Sequence, residues 1–510
     1  MDYLLGTLLG GASFVIAAYL VLRRPRTVRL HGPPSPSFLY GHMKQIVNSS
    51  NQADLFDGWV QTYGGVHEIR GPLGTRRLVV CDPRAMSHLF SLDSWKYCHP
   101  PTLQLSELVK LTGPGNLLVA LGESHRRLRK IINPVFGPAA LKSYAPVMYD
   151  CTHKVFAAWE QGLQGSTSDE ILADVSEWFD IIGLAAFSTD FRSLDGEEGP
   201  VLRALSAIGH IQPSPLVTRI LLLAQTFPML LKLPLPRSAL VSNLSDAMDL
   251  VSRGLTATAK VGDETHSSAF RVLFNADALS STEISVQAKS ILLAGFATTA
   301  IKWALLQLSM HPEQQDRLRA ELSVFSSSDP SYDELNALPY LEAVVSESLR
   351  LHPIIDDASR MALEDNVLPL ETPIRTAYGA LTDKLLIRKG TVISVPLQFT
   401  NLSKSVWGDD AAEFRPERWL DDGKGLQSSV EQYPGYHHTM SFLDGPRTCL
   451  GKGFALIEMK IVLSLLIRKF VFAPLNGRET KYETAFFLGK HPKVAGEAGN
   501  TLPMRVRRVE

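Results

Sequence analysis

The sequence predicts a mainly α-helical chain with minor β-sheets, preceded by one N-terminal transmembrane helix. Three observations carry this. Long stretches with helical apolar periodicity dominate the chain from about residue 120 onward. Alternating or clustered β-formers are confined to short segments near 66–81 and 385–397. From Tyr3 to Leu22 there is no charged residue at all.

The uncharged run comes first. At ~1.5 Å per residue, roughly 20 residues span about 30 Å, the thickness of a bilayer core. Arg23, Arg24, Arg26 and Arg29 follow at once, whereas the only charge before the run is Asp2. The positive-inside rule then places the rest of the chain in the cytosol. A cleaved signal peptide is the alternative, but the run is longer than a signal core and lacks a basic start. We therefore expect an anchor over 1–22, a basic and proline-rich hinge over 23–36, and one large domain over 37–510. His31-Gly32-Pro33-Pro34-Ser35-Pro36 reads as a stiff extended connector, because proline fixes φ and disfavours helix before it.

Residues 66–70 and 76–81 flank Gly71-Pro72-Leu73-Gly74, a hairpin signal. Helices are expected over roughly 123–132, 147–162, 283–310, 312–325, 339–351 and 452–469, and a second β-prone patch over 385–397. Residues 214–236 are unusually apolar but broken by Pro228, Pro234 and Pro236. They read either as a buried helix pair or as an apolar loop dipping into a membrane.

Composition excludes several classes. The 510 residues are 45% hydrophobic and 20% charged, with a net charge of −1, so no basic excess points to nucleic acid. The four cysteines, Cys81, Cys98, Cys151 and Cys449, form no C-x-x-C pair. Such scattered thiols suit a reducing compartment rather than a disulfide framework. A single core this large suggests something central for the helices to pack around.

Cys449 stands apart by its context, Phe442-Leu443-Asp444-Gly445-Pro446-Arg447-Thr448-Cys449-Leu450-Gly451, a turn-rich loop opening a helix. A helix N-terminus favours a thiolate through its free N–H groups and dipole. Gly445 and Gly451 permit close backbone approach, and Arg447 supplies a fixed cation for a carboxylate. A packed core thiol is the bland alternative. Elsewhere, Glu347 and Arg350 share a helix face three residues apart. His125 and Arg129 do so four apart. Ala294-Gly295-Phe296-Ala297-Thr298-Thr299 lies inside a long apolar helix.

Together these motifs resemble the cytochrome P450 family over essentially 30–510. Phe442, Gly445, Arg447, Cys449 and Gly451 match its haem-binding signature. The resemblance implies a P450-like haem-thiolate fold and haem b held axially by Cys449, with Phe442, Arg447 and Gly451 at the cofactor. It implies that His125, Arg129 and Arg360 contact the haem propionates, and that Glu347, Arg350 and Arg418 of Pro416-Glu417-Arg418-Trp419 form a buried structural triad. Thr298 matches the family's oxygen-side threonine, but Ala297 stands where an acid usually precedes it, so proton delivery would rest on Thr298, Thr299 and water.

The implied function is monooxygenation of a lipophilic small molecule at the endoplasmic reticulum membrane, with electrons from NADPH. No Rossmann fingerprint follows a strand, so a separate flavoprotein reductase is implied. The cysteine and helix motifs look most like fungal microsomal members, and a terpenoid-like product of secondary metabolism is the expected substrate class. Asp356 and Asp357, in a candidate pocket segment, either meet a polar group on substrate or pair within the protein. Two alternatives stay open. One is a haem-thiolate peroxygenase or isomerase that does not activate O2, motivated by Ala297. The other is a non-catalytic membrane haem-binding protein.

Overall fold

The computed structural model describes residues 28–49, 51–104, 106–166, 169–175, 215–224, 230–231, 244–246, 248–249, 252, 279–295, 299–325, 328–420, 426–486, 489–497 and 501–509. The expected anchor and the start of the hinge lie outside these residues, as do Phe296, Ala297 and Thr298.

The principal helices are α1 (Gln52–Tyr63), α2 (Pro83–Ser91), α3 (Gly122–Ile132), α4 (Pro138–Gly165), α5 (Pro215–Ala224), α6 (Ser281–Gly295), α7 (Thr299–Met310), α8 (Pro312–Leu322), α9 (Pro339–Leu351) and α10 (Lys452–Lys469). Proline at the first helical position opens α2, α4, α8 and α9, where its missing N–H costs no internal bond. Asn51 and Asp82 cap α1 and α2, accepting from the N–H groups of Asp54 and Ala85 at 3.2 and 2.9 Å.

Twelve strands form four small sheets among the described residues. β1 (Val66–Arg70), β2 (Arg76–Val80), β3 (Tyr97–Cys98), β5 (Arg360–Ala362) and β8 (Val392–Ser394) make a mixed sheet in the order β1-β2-β8-β5-β3. β1 and β2 are the expected hairpin, with Val66 opposite Val80. β2 runs parallel to β8, Leu78 facing Ile393. β4 (Glu170–Asp174), β12 (Pro503–Arg508) and β9 (Phe470–Pro474) form a second sheet. β6 (Asn366–Arg375) pairs with β7 (Leu381–Ile387), and β10 (Tyr482–Phe486) with β11 (Lys490–Val494).

The sequence expectations meet the structure unevenly. α3, α9 and α10 fall where periodicity put them. α4 begins nine residues before the expected 147 because it carries Pro146 in its interior. Proline there removes a backbone donor, and burial of Leu141, Tyr144, Ala145 and Met148 offsets that cost. The patch at 385–397 is two strands, β7 and β8, divided by a turn at 388–391. Of the apolar stretch 214–236, α5 and residues 230–231 are described, and Leu222 of α5 packs on the β-rich core. Among the described residues, one span, Ser281–Met310, is long and apolar enough to cross a membrane. It runs over the undescribed 296–298 and is 93% buried, as a core helix is.

Two apolar cores result. One is helical and gathers residues of α3, α4, α7, α9 and α10. The other lies around β1, β2, β6, β7 and β8 with α1 and α2. The segment leading to Cys449 crosses between them: Met440 belongs to the β-rich core and Phe442 to the helical one. The candidate site therefore sits on the seam.

The hinge is extended where it is described. Residues 28–36 contain no helix, and Leu30 bridges to Thr376. The carbonyl of His31 accepts from the N–H of Glu68 at 3.1 Å, so the connector lies along β1.

Candidate functional site

Residues 440–451 form a loop that ends on α10. The N–H of Cys449 donates to the carbonyl of Phe442 at 2.8 Å, and Thr448 closes a turn onto the carbonyl of Gly445 at 3.0 Å. Gly445 has φ +68, a conformation disfavoured for residues with a Cβ, and an added Cβ would stand 2.2 Å from the carbonyl oxygen of Phe90. So Gly445 is required by the close seat of the loop on α2. Gly451, the N-cap of α10, is different. Its φ is −82, and an added Cβ would meet nothing nearer than a Phe136 ring carbon at 4.0 Å. No protein atom crowds Gly451; the space on its Cβ side is open.

Cys449 borders the same opening. Cys81, Cys98 and Cys151 are buried, whereas Cys449 is exposed. Yet the protein around it is dense enough that burial raises its thiol pKa, against backbone N–H groups of Gly451 and Lys452 and the charges of Arg129 and Lys452, which favour the thiolate. The sulfur thus sits amid dense protein and keeps an accessible face.

Arg447 is buried, and its donors go mainly to backbone. One terminal nitrogen bonds the carbonyls of Leu117 and Leu118 at 3.3 and 2.7 Å, and the other bonds that of Ala120. This ties the loop to residues 115–120, which Gln287 of α6 also holds by donating to Gly115 and accepting from Leu117. The carboxylate nearest Arg447 is Asp93, with Oδ1 3.4 Å from Arg447 Nε. Arg360 faces the same group, its Nε 2.6 Å from Asp93 Oδ2. Arg360 Nη2 is buried with no hydrogen-bond partner, and Arg447 Nε meets only Asp93, at 3.4 Å and without hydrogen-bond geometry. Buried donors without partners are rare and costly, about 1–3 kcal/mol each, and mark a place for an acceptor.

α3 brings His125 and Arg129 to this region. His125 is buried, while Arg126, Arg127 and Lys130 lie on the exposed face. Burial, then Arg447 and Arg129, pull the His125 pKa down to about 4, so its ring is neutral at physiological pH. His99 is pulled lower, to about 2, by burial and by Arg360, Arg447 and His125. Burial also lowers the Arg129 pKa, and Arg129 is close enough to Cys449 to feel its charge. The sequence reading missed Asp93 and His99. Neither belongs to a local motif, and Asp93 meets Arg360 across 267 positions.

Behind the loop, Glu347, Arg350 and Arg418 come together, all buried. Glu347 accepts from Arg350 Nε and Nη2 at 2.8 Å, Arg418 Nε at 2.9 Å, Trp419 Nε1 at 2.9 Å and the backbone N–H of Arg415 at 3.0 Å. Burial opposes its ionisation, but Arg350, Arg418 and these bonds together hold the carboxyl below the ordinary range. Arg350 also binds the carbonyl of Asn401 at 2.9 Å. Asn401 in turn accepts from the N–H of Met440 at 3.0 Å and donates to Ser441 at 2.9 Å. This chain of bonds reaches the start of the cysteine loop.

On the other side, Thr298 lies outside the described residues. Thr299 is described and buried, and its hydroxyl has no hydrogen-bond partner among the described residues. Asp356 and Asp357 both pair within the protein. Asp356 binds Gln398 Nε2 at 2.9 Å and Lys490, and Asp357 accepts from Ser359 and Ser394.

These residues fit a planar dianionic cofactor. Cys449 supplies an accessible sulfur, Gly451 leaves room, and Arg360 presents an unpaired donor for a carboxylate beside Arg447. Comparison with known proteins agrees. Residues 31–495 match the cytochrome P450 family, whose members bind haem through a cysteine thiolate. A cytochrome P450 monooxygenase of Ampulloclitocybe clavipes, claW, is 40% identical over 522 residues, covering 98% of this chain and 96% of its own. Another from that fungus, claU, is also 40% identical with the same coverage. Cytochrome P450 monooxygenase 205 of Postia placenta is 35% identical over 471 residues, covering 86% of this chain and 85% of its own.

Proposed function

This chain belongs to the cytochrome P450 family, and on that premise we propose that it inserts one oxygen atom from O2 into a lipophilic, terpenoid-like small molecule of secondary metabolism. Electrons come from NADPH through a separate flavoprotein reductase. Residues 1–22 anchor the enzyme in the endoplasmic reticulum membrane, with residues 37–510 in the cytosol. That it is an oxidoreductase of the monooxygenase class follows from its relatives.

The observation that carries the reading is Cys449, enclosed by protein and open on one face at the start of α10. Cys449 is the axial ligand in this proposal. Haem held by a thiolate supplies oxygen activation, because the sulfur donates electron density that favours O–O cleavage. The protein does the rest. The free N–H groups of Gly451 and Lys452 and the charges of Arg129 and Lys452 favour the thiolate against the burial that raises the thiol pKa, and a bound iron would complete the balance. Phe442 and Gly451 shape the cofactor's bed. Arg360, Arg447, Arg129 and neutral His125 receive the propionates. Glu347, Arg350 and Arg418 hold the loop through Asn401. Thr298 relays protons on the oxygen side, with alanine at 297 leaving water as its partner.

The ferrous–CO absorption spectrum tests the ligand. The expected result is a thiolate-type Soret band that disappears in Cys449→Ser. An imidazole-type band unchanged by the substitution would overturn the assignment. Co-expression with a reductase, followed by untargeted metabolite comparison, tests the reaction. Turnover supported by peroxide but not by NADPH and reductase would replace the monooxygenase reading with the peroxygenase one.

A further inference from the structure

The proposed propionate site contains an acid of its own. Asp93 is fully buried and lies between the two arginines, 2.6 Å from Arg360 and 3.4 Å from Arg447. It is held there at a cost. Asp93 follows the end of α2, and the next residue, Ser94, has φ +75, left-handed backbone that a non-glycine residue adopts only under constraint. The constraint is visible. The N–H of Ser94 donates to Asp93 Oδ1 at 2.9 Å and to the carbonyl of Tyr97 at 3.0 Å, and the carbonyl of Ser94 accepts from Gly122 at 2.8 Å. Gly122 opens α3, which carries His125 and Arg129. One strained turn thus positions the acid and fixes the start of the helix that brings two more members of the site. On the other side, Phe90 of α2 lies against Gly445 and under the Arg360 guanidinium, 5.6 Å from its ring centre.

The charges are also informative. His99 and His125 are neutral at physiological pH. Two guanidiniums, those of Arg360 and Arg447, face one carboxylate, Asp93. The set keeps one net positive charge beside the place proposed for the propionates; without Asp93 it would be two, in a buried place where an unmatched charge is expensive. Arg360 and Arg447 would also lose the group that aims them.

We propose that Asp93 is the resident counter-ion of the propionate site: it orients Arg360 and Arg447 and sets the positive charge that the haem meets. This rests on the reading that those arginines face the propionates. Asp93 is then a positioning residue, and it also biases the iron electrostatically. A negative charge held near haem disfavours the ferrous state, which carries one positive charge fewer than the ferric state.

The test uses the haem-loaded enzyme with Asp93→Asn, Asp93→Glu, Arg360→Gln and the double variant Asp93→Asn/Arg360→Gln. Two quantities are read: the haem midpoint potential and the rate of haem release to a scavenging apoprotein. Asp93→Asn is expected to raise the potential and Arg360→Gln to lower it. The double variant should return close to the wild-type potential, and Asp93→Glu should keep it there. Both single variants should release haem faster, by about tenfold or more, the loss expected for one charge-assisted bond. A residue with only a packing role would not move the potential in the direction opposite to its arginine partner. An Asp93→Asn potential that is unchanged, or that shifts the same way as Arg360→Gln, would overturn the proposal. If Asp93→Asn alone fails to load haem, the double variant decides: a potential as low as that of Arg360→Gln sinks the idea. If Arg360→Gln leaves both quantities at wild type, it is the underlying reading of Arg360 that fails.

Discussion

Two places in this molecule are built from the same parts, one buried carboxylate and two buried guanidiniums, and they end differently. Around Glu347 every interaction closes. The carboxylate accepts from Arg350, Arg418, Trp419 and the backbone of Arg415, and the remaining Arg350 donors reach the carbonyls of Asn401, Ala411 and Glu413. Around Asp93 the set stays open, because Arg360 Nη2 has no hydrogen-bond partner and Arg447 Nε reaches Asp93 only at 3.4 Å, without hydrogen-bond geometry. A saturated charge network has nothing left with which to bind a ligand, so its work is to fix backbone. An unsaturated one carries the desolvation cost of its free donors until an acceptor arrives. The difference between scaffold and site thus lies in the donor count, not in residue type or burial.

The comparison breaks most visibly at Glu347. Glu347→Gln keeps the shape but leaves buried Arg350 without its anion and buried Arg418 with only Asp410, 3.5 Å away. Removing one partner of such a network costs about 3–5 kcal/mol, a large share of a typical domain's stability. We expect little haem-bound protein at 37 °C and a lowered unfolding midpoint in what remains. A variant that unfolds like wild type would show that the saturated set contributes no more than the open one.

A buried carboxyl with no cation at all gives the limiting case. Glu458 on α10 is buried, one of its oxygens has no protein partner, and burial pushes its pKa up to about 8. Between the ordinary carboxyl value near 4.5 and 8, the folded chain therefore holds a proton that the unfolded chain has released. More protons bound in the native state means stability falls as pH rises through that window, by up to about 1.4 kcal/mol per pH unit. Glu458→Gln removes this dependence. Urea unfolding at pH 5, 6, 7 and 8 should show a variant that gains on wild type at each step upward. A gap independent of pH would mean that Glu458 is ionised and paired after all.

How legible was this from the sequence? The helices that follow a clean 3.6 period, α3, α9 and α10, were readable, as was the hairpin of β1 and β2 around its glycine-rich turn. β6 was not, because Pro369 and Pro373 interrupt its pattern; the strand tolerates them next to the register shift between Pro369 and Ile374. The cysteine loop and the Glu347–Arg350 pair were readable because each rests on closely spaced residues, whereas Arg418, 71 positions beyond Glu347, was reached through the family resemblance. Asp93 was not, since its partners lie more than 260 positions away and only the folded chain brings them together. Arg447 was found as a cation, but that three backbone carbonyls take most of its donors was not legible.

The smallest effect is expected where the same pairing occurs in water. Arg127 of α3 and Glu283 of α6 form an ion pair, with 45% and 35% of their side chains exposed. Glu283 has a second task, however. It accepts from the N–H of Ser280 at 2.9 Å, while Ser280 accepts from the N–H of Glu283 at 3.2 Å, a reciprocal cap on the first turn of α6. Glu283→Gln can keep the cap and lose only the charge, so it should cost less than about 1 kcal/mol, and less still in high salt. Glu283→Ala loses the charge and the side-chain half of the cap and should cost up to about 1 kcal/mol more, insensitive to salt. Urea unfolding of both variants at low and high ionic strength separates the two contributions. A Glu283→Gln loss as large as that of Glu347→Gln would mean that exposure does not govern these pairs, and the contrast between closed and open networks would then lose its physical basis.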